Sequence, residues 1–550
     1  MAVVARSRRH RGPTVPALAR VALAGVLAAL VGLTLACTDD DEPEVDDDEP
    51  EAVEEPEEEE PAEEEPEDPA PEEDVDVAEG DVLHAALQSA PEALDPHLAT
   101  THASFQVLEN VYDTLVEPDG DGGFAGALAR EWEVDDEGTT WRFELREGVT
   151  WHDGSAFDAD DVVYSLERIA DEGRNAFRLA DVAEVEAVDE LAVRIELERP
   201  VPNLLANLGG FKGLAIVPDG AGEELDEAPV GTGPFAVAGE TGDAIELEAF
   251  DDHWDGAPAV GGVAYRVIAS GDERMEALER GEVDWTDRVP ARDLEEYRDH
   301  DEITVEAVPA NAYYYYALNQ AREPWDEREV REALAQGFSR TALVEAAELG
   351  AADANQTAIP AGDPYHVDHT PFDEDLDAAE ELLAEAEVGD LEVDLLAHAG
   401  DEGSVRAAEV LAAQWGEIGL DVTVRAEEHA EWLADQADGE FDALLWAWVD
   451  NHDPFDYYYT QHHSQGVNNF QAFADEDVDE ALEAAQATFD DDERREAYAE
   501  AATRIADLAS YTYLYNPHRV HAWRDSVDGY APRIDGALRF DGVSIDRGAP

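Results

Sequence analysis

Residues 128–169 read LAREWEVDDEGTTWRFELREGVTWHDGSAFDADDVVYSLERI, and the spacing of apolar residues changes twice along this stretch. Trp141, Phe143 and Leu145 alternate with polar residues, which is the period of a strand with one buried face. A second short strand is predicted around Trp151. The first part of the stretch therefore predicts two successive strands.

The second part of the stretch predicts a helix. Asp158 stands where an N-cap is expected, and Asp161 follows three residues later, as in a capping box. The apolar residues beyond it have helical spacing, at Val162, Leu166 and Ile169. We expect a short helix with one apolar stripe.

The same stretch resembles the signature of the family 5 extracellular solute-binding proteins, the peptide, nickel and opine receptors of ABC importers. The residues that carry the resemblance are Trp132, Leu145, Arg146, Gly148, Val149, His152, Asp153, Gly154, Asp161 and Val162. The resemblance implies an α/β fold of the periplasmic-binding-protein type (cluster C), with two lobes, an extra subdomain in the first lobe and two hinge crossings.

The resemblance to the same family covers nearly all of residues 81–530, and five further segments carry it. They are YDTLV at 112–116, PVGTGPF at 229–235, GEVD at 281–284, VREAL at 330–334 and GLDVTV at 419–424. The two glycines of 229–235 predict a turn with unusual backbone dihedrals. A phosphate-binding loop is the alternative, but no Gly-Lys-Ser/Thr follows.

The amino-terminal residues predict export. Residues 1–36 hold several arginines and then an apolar run, and they end before Cys37, the only cysteine. The sequence before Cys37 resembles a lipobox, which implies a lipidated cysteine and an anchor on the outer face of the cell membrane. An uncleaved transmembrane anchor is the alternative. A single cysteine excludes an internal disulfide.

Acidic residues dominate the composition. Residues 37–80 are almost entirely Asp, Glu, Pro and Ala, which predicts a disordered stalk, with a docking role as the alternative. The formal net charge is −101, and Lys212 is the only lysine. Such a chain has no basic patch for nucleic acid, and its self-repulsion predicts a halophilic, salt-requiring protein.

The length of 550 residues predicts more than one domain. By the resemblance, residues 81–308 form the first lobe with its extra subdomain, 309–516 the second lobe, and 517–550 a return segment to the first. Residues 309–320 read PANAYYYYALNQ and are interpreted as a hinge strand. Tyr314 and Tyr316 are candidate walls of the ligand cleft, with ordinary core packing as the alternative.

Residues 441–459, FDALLWAWVDNHDPFDYYY, are the candidate ligand-binding stretch, because aromatic residues and acids follow a hydrophobic strand. In peptide-binding members of the family, an aspartate of this segment pairs with the ligand's α-ammonium, and the resemblance places it at Asp450. A buried carboxylate is costly without a cationic partner. A turn or N-cap aspartate is the alternative. The other candidate ligand-binding residues are Trp446, Trp448, Asp453 and Tyr457.

Metal and catalytic sites are not predicted. Histidines of this region raise a nickel hypothesis, but none forms an i, i+4 pair on a predicted helix; they are His366, His369, His452, His462 and His463. The sequence has no nucleophile elbow, metalloprotease helix or kinase motif. We predict no cofactor and no enzyme activity.

The resemblance implies a monomeric, extracytoplasmic receptor that captures a peptide or a related amine-bearing solute and delivers it to an ABC permease. A nickel chelate, an opine or an oligosaccharide is the alternative ligand. A ligand sensor without transport is a second class of function, and a secreted hydrolase is a third.

Overall fold

The computed structural model describes residues 82–119, 123–135, 137–211, 213–241, 244–389, 391–449, 453–534 and 536–547. The predicted export signal at 1–36 and the predicted stalk at 37–80, with Cys37, lie outside these ranges. Within them, no helix is both long enough and apolar enough to cross a membrane.

The strands that precede the hinge belong to the first lobe. These strands are β1 (Val82–Leu87), β2 (Val116–Pro118), β3 (Phe124–Gly126), β4 (Ala129–Val134), β5 (Thr140–Leu145), β6 (Val182–Asp189), β7 (Ala192–Leu197), β8 (Phe235–Thr241), β9 (Ala244–Ala249), β10 (Gly262–Val267), β11 (Trp285–Thr286) and β12 (Ile303–Pro309). Its helices are α1 (His102–Leu108), α2 (Ala159–Glu172), α3 (Leu204–Gly209), α4 (Gly271–Arg280) and α5 (Asp293–Tyr297). Short 3-10 turns occupy Ala176–Leu179 and Glu223–Asp226.

The second lobe alternates strands and helices. Its strands are β13 (Tyr313–Leu318), β14 (Ala352–Ala354), β15 (Glu392–His398), β16 (Asp421–Glu427) and β17 (Ala443–Trp448). Its helices are α6 (Arg328–Gln336), α7 (Arg340–Glu348), α8 (Leu376–Glu385), α9 (Glu402–Glu417), α10 (His429–Asp438), α11 (Pro454–His462), α12 (Glu476–Ala487) and α13 (Asp491–Asp507). The long strand β18 (Thr512–Arg524) then returns to the first lobe, where β19 (Val527–Asp528) and β20 (Ser544–Ile545) pair.

One large mixed sheet runs through both lobes. Its strand order is β16, β15, β17, β13, β18, β11, β1, β10, β9 and β8, and β12 and β14 also pair with β18. β1 is parallel to β10 and β11, and β15 is parallel to β16 and β17. Helices alternate with these parallel strands, which gives the α/β class that the sequence predicts.

A smaller sheet carries the extra subdomain of the first lobe, in the order β4, β5, β7, β6. Along β5, Trp141, Phe143 and Leu145 are buried while the residues between them are half-buried, as the alternating pattern predicts. These three side chains share a core with the apolar stripe of α2, which lies beside β6 and β7.

The predicted helix start at Asp158 is confirmed. The Asp158 carboxylate accepts from Asp160 N at 2.9 Å, and Asp158 N donates to the Asp161 carboxylate at 2.9 Å. Such caps contribute about 1 kcal/mol to helix stability. The predicted strand around Trp151 is wrong: only an isolated bridge joins Thr150 to Ala156. The amide that follows Trp151, His152 N, donates to the loop carbonyl of Gly231 at 2.9 Å.

The prediction of unusual dihedrals for 229–235 is also wrong, because neither Gly231 nor Gly233 has a positive φ. Glycine is needed at these two positions because a side chain would overlap the neighbouring backbone. An added Cβ at Gly231 would overlap the carbonyl oxygen of Val111. Gly233 N donates to that same oxygen at 2.9 Å, so the loop lies directly against the turn that follows α1.

Two crossings join the lobes, as predicted. The chain leaves the first lobe after β12 and starts β13 at Tyr313, while β18 passes the same point in the opposite direction. Ala310 N donates to Pro517 O at 2.9 Å. The Asn516 amide nitrogen donates to the carbonyls of Ala312 and Ala358, each at 2.8 Å. These contacts fasten the two crossing segments to each other.

Candidate functional site

The parallel strands of both lobes end at the hinge. β11 is antiparallel to β18 and ends at Thr286, on the hinge side, so β1 and β10 end there too. In the second lobe, β17 ends at Trp448, which pairs with Tyr313, the first residue after the crossing. Ligands of open α/β sheets bind beyond such carboxyl ends. The candidate site therefore lies between these two edges.

Asp450, the predicted ligand anchor, lies outside the described residues, together with 451 and 452. The structure does fix where that segment starts. Val449 follows the last residue of β17, at the hinge edge, and is 59% exposed.

Asp453, the second acid of this segment, is held by the protein. Its carboxylate caps α11 by accepting from Phe455 N at 2.8 Å, and it pairs with Arg494 Nη2 at 2.6 Å. Both side chains of the pair are buried, 7% exposed for Asp453 and 8% for Arg494. Arg494 Nη1 also donates to the Tyr365 hydroxyl at 3.2 Å.

Trp446 and Trp448 are half-buried on the same face of β17, and both pack against the aromatic cluster between β13 and α11. The Trp446 ring lies 4.6 Å from Trp432 and 4.7 Å from His398, between centroids. His398 Nε2 in turn lies 3.1 Å from His429 Nδ1. Burial lowers the pKa of His398, and His429 adds to this. Trp448 packs with the aromatic side chains between β13 and α11.

The three predicted tyrosines differ in their surroundings. The half-buried Tyr314 donates its hydroxyl to Asp401 Oδ2 at 3.1 Å. Tyr316 is 1% exposed and packs edge-on against Trp415, with ring centroids 4.9 Å apart. Tyr457 is 2% exposed. Tyr316 and Tyr457 thus pack among core side chains. For Tyr316 this is the alternative of ordinary core packing.

Sequence reasoning did not find Asp363 and Arg519, whose charges act on the pKa of Tyr457. Burial, and then Asp363, raise the pKa of the Tyr457 hydroxyl, whereas Arg519 of the first lobe opposes the rise. Burial also raises the pKa of Asp363 itself. Charges from both lobes therefore act on one point beside the hinge.

A cavity of about 110 Å³ opens on the first-lobe side. Its lining residues come from three separated parts of the chain and are Thr100, His102, Phe105, Glu109, Asp113, Thr114, Glu117, Pro118, Gly209, Gly210, Phe211, Arg519, Arg533, Gly536, Ala537 and Arg539. No local motif marks these residues, so the sequence offered no signal for them. We call it the arginine cavity.

Ion pairs organise one wall of the arginine cavity. Arg539 lies 3.3 Å from Asp113 Oδ1 and 3.5 Å from Glu117 Oε2, between nitrogen and oxygen. Burial raises the pKa of Glu117, and Arg539 opposes that rise. Asp113 is 1% exposed, and its other oxygen accepts from Thr232 Oγ1 at 3.0 Å and Trp254 Nε1 at 2.9 Å.

His102 links the arginine cavity to the end of β11. Its Nε2 lies 3.1 Å from Asp287 Oδ2, and Asp287 is 3% exposed. Burial acts to raise the pKa of Asp287, but the hydrogen bond and charge of His102, with Arg288, outweigh it and the pKa falls below its usual value.

Histidines and acids elsewhere do not converge. In the part of the chain that the structure describes, no group of three or more His, Cys, Asp or Glu side chains is arranged to hold a metal ion. His462, one residue of the nickel hypothesis, is buried, with its ring nitrogens 2.9 Å from Ser510 Oγ and 3.0 Å from the Tyr513 hydroxyl.

Known proteins resemble this chain over most of its length. It is 29% identical over 515 residues to the probable di/tripeptide-binding protein 5 of Pseudomonas aeruginosa, covering 86% of this chain and 97% of that protein. It is 27% identical over 497 residues to the heme-binding protein A of Haemophilus influenzae, covering 83% and 91%.

A solved structure shares both the fold and part of the sequence. The periplasmic binding protein DppA from Helicobacter pylori, in complex with peptide STSA, has a TM-score of 0.71 at 25% identity, covering 85% of this chain and 98% of that one. The family model described as "Bacterial extracellular solute-binding proteins, family 5 Middle" matches residues 123–469. The chain therefore belongs to the family 5 bacterial extracellular solute-binding proteins.

Proposed function

We propose that this protein captures short peptides with a free amino terminus between its two lobes and presents them to the permease of an ABC importer. The observation that carries the proposal is the convergence of strand ends from both lobes at one hinge, where the loop after β17 begins. Relatives named for di- and tripeptides, and a related structure with a bound peptide, support the ligand class. The proposal assigns no catalysis.

Asp450 is the proposed partner of the peptide's α-ammonium. In sequence it stands two residues after Trp448, where β17 ends at the hinge edge, and the neighbouring acid, Asp453, is already paired with Arg494. Closing the lobes over a peptide would remove water from such a carboxylate, which is favourable only with a cation opposite it. Tyr314, Trp446 and Trp448 are the half-buried aromatic residues proposed to contact the ligand.

The proposal is tested by denaturing the purified protein, kept in molar salt until then, and identifying the released small molecules by mass spectrometry. We expect short peptides from the wild type and a greatly reduced amount from Asp450→Asn. The matched control is Asp438→Asn, an exposed residue at the end of α10.

Release of nickel, a heme or a sugar, unchanged in Asp450→Asn, would overturn the peptide assignment and leave the family assignment standing. Peptide release that is equal in the wild type and in Asp450→Asn would retain the ligand class and remove Asp450 as its anchor.

Two further parts of the proposal concern the environment of the protein. We propose that Cys37 is lipidated and holds the receptor at the outer face of the membrane, and that the net charge of −101 adapts the receptor to high salt. Mass spectrometry of the mature amino terminus checks the first part. Release of a Cys37→Ser variant into the medium, with the wild type retained on cells, is the expected result.

A further inference from the structure

Asp363, in the loop between β14 and α8, is a half-buried acid with little to compensate its charge. Burial raises the pKa of its carboxyl, the hydrogen bond from Tyr365 N opposes the rise, Asp453 adds to it and His366 opposes it. Tyr365 N donates to Asp363 Oδ1 at 2.8 Å. Among the described residues, no other group donates to this carboxylate or forms an ion pair with it.

Four other described acids have a pKa that burial raises, and each has further compensation. The charge of an arginine lowers the pKa of three of them, and the fourth accepts from two backbone amides and an indole N–H. The three are Glu117, Asp293 and Glu348, and the fourth is Asp161. A cation from outside the protein would therefore gain more at Asp363 than at these acids.

The Tyr457 hydroxyl is an unpaired group in the same region of the second lobe. Tyr457 is 2% exposed, and its hydroxyl has no hydrogen-bond partner in the part of the chain that the structure describes. Burial, and then the charge of Asp363, raise the pKa of this hydroxyl. A buried polar atom without a partner is costly, so a donor that reached both groups would be favoured.

Contacts place Asp363 beside the segment that begins with Asp450. Tyr365, whose amide binds Asp363, accepts through its hydroxyl from Arg494 Nη1 at 3.2 Å. Arg494 in turn pairs with Asp453, three residues after Asp450. We propose that Asp363 binds the basic side chain of the peptide's first residue, an inference that rests on the proposed function.

The chemistry of a basic side chain fits these groups. A lysine ammonium carries three N–H donors and an arginine guanidinium carries five, whereas a carboxylate and a tyrosine hydroxyl can both accept. The first side chain starts at the carbon that bears the α-ammonium, so a peptide held at Asp450 brings that side chain close to Asp363. Lobe closure removes water from Asp363, and a cation then compensates its charge. The receptor therefore favours lysine or arginine over an apolar residue at the first position.

The test compares two tripeptides with the purified protein. One is Lys-Ala-Ala, and the other is norleucine-Ala-Ala, whose first side chain has the four carbons of lysine but no ammonium. Calorimetric titration in 1 M NaCl gives the Kd of each, at a screening length of about 3 Å that suppresses long-range attraction to the acidic protein. We expect Lys-Ala-Ala to bind about tenfold more tightly, because a charge-assisted hydrogen bond is gained.

Variants assign that preference to Asp363. Asp363→Asn should bind both tripeptides with the wild-type affinity for norleucine-Ala-Ala. The matched control Asp368→Asn, at an exposed acid of the same loop, should keep the tenfold preference. Tyr457→Phe removes only the unpaired hydroxyl and should reduce the preference, and it serves as the second variant if thermal unfolding shows that Asp363→Asn is not folded.

Equal wild-type affinity for the two tripeptides would overturn the inference. A tenfold preference that persists in a folded Asp363→Asn would also overturn it, because other acids would then attract the lysine. Amino-acetylated copies of both tripeptides test the proposed function separately, since they keep the side chain and lack the α-ammonium. Loss of binding on acetylation, with equal affinity for the two free tripeptides, would overturn this inference and leave the proposed function standing. Absence of binding for both free tripeptides would overturn the two together.

Discussion

The ring of Phe489, in the loop between α12 and α13 of the second lobe, lies 6.0 Å from the ring of Trp141 on β5 of the first lobe, between centroids. Phe489 also lies directly over Gly138, where an added methyl group would overlap its ring. Nearby, Arg199 of the first lobe opposes the rise that burial causes in the pKa of Tyr459 on α11. The two lobes therefore also contact each other through residues that lie outside the two hinge segments.

We predict that this contact stabilises the closed arrangement of the lobes. Phe489→Ser should remove an aromatic pair worth about 1 kcal/mol and so weaken peptide binding about fivefold. The effect should appear mainly in the dissociation rate, because the ring holds the lobes together after the peptide has bound. Surface plasmon resonance with a bound peptide measures both rates.

The matched control for Phe489→Ser is Phe177→Ser, which removes a ring that is 68% exposed. Its binding rates should equal those of the wild type. A dissociation rate unaffected by Phe489→Ser would show that the contact contributes nothing to closure.

The buried pair of Asp453 and Arg494 predicts a stability effect. Asp453→Asn leaves the Arg494 guanidinium buried without its carboxylate, and we expect a loss of about 3 kcal/mol in the free energy of unfolding. Denaturant unfolding in molar salt measures it. Asp450→Asn, three residues away, should leave the unfolding midpoint unchanged while it removes peptide binding.

The two variants thus separate a structural acid from a ligand-binding acid in one segment. Asp453→Asn with wild-type stability and lost binding would transfer the ligand role to Asp453. Wild-type stability together with wild-type binding would show that the ion pair has no net effect.

His462 predicts a pH dependence of stability. Burial lowers its pKa to about 3 in the folded protein, whereas the unfolded side chain titrates near 6.5. Between these pH values the imidazole is protonated in the unfolded state and neutral in the folded state. Stability therefore falls as the pH drops from about 6.5 towards 3. Between pH 7.5 and 5.0 the free energy of unfolding should fall by about 2 kcal/mol more in the wild type than in His462→Gln, which lacks this titrating group.

Denaturant unfolding at the two pH values, in matched salt, measures this difference. His300→Gln, at an exposed position after α5, should lose stability as the wild type does. The same pH response in His462→Gln and in the wild type would contradict the assignment of a buried neutral imidazole.

Local patterns predicted the elements that are stabilised locally. The alternation in β5 and the capping box of α2 both involve residues within a few positions of each other, so the sequence specifies them directly. The strand predicted around Trp151 is wrong because Trp151 N bonds the nearby carbonyl of Ser155, while His152 N donates to Gly231 O, about 80 residues away. Period alone does not reveal such a distant partner.

The candidate site was harder to predict for the same reason. Tyr314 and Tyr316 lie on the same face of β13 and pack against the same core, while Tyr313 and Tyr315 cover the other face, so alternation did not separate the half-buried Tyr314 from the buried Tyr316. The arginine cavity joins residues near 100, near 210 and beyond 519. Only the three-dimensional arrangement brings those segments together.

Net charge gives the last prediction. With a formal charge of −101, repulsion between carboxylates should destabilise the folded state at low ionic strength. Raising NaCl from about 0.1 to about 1 M shortens the screening length from about 10 to about 3 Å, and the melting temperature should rise by at least about 5 °C. Sucrose of equal osmolality is the control, because it favours compact states without screening charge. An equal rise in sucrose, or none in NaCl, would show that charge repulsion does not limit stability, and the proposed adaptation to high salt would have to be abandoned.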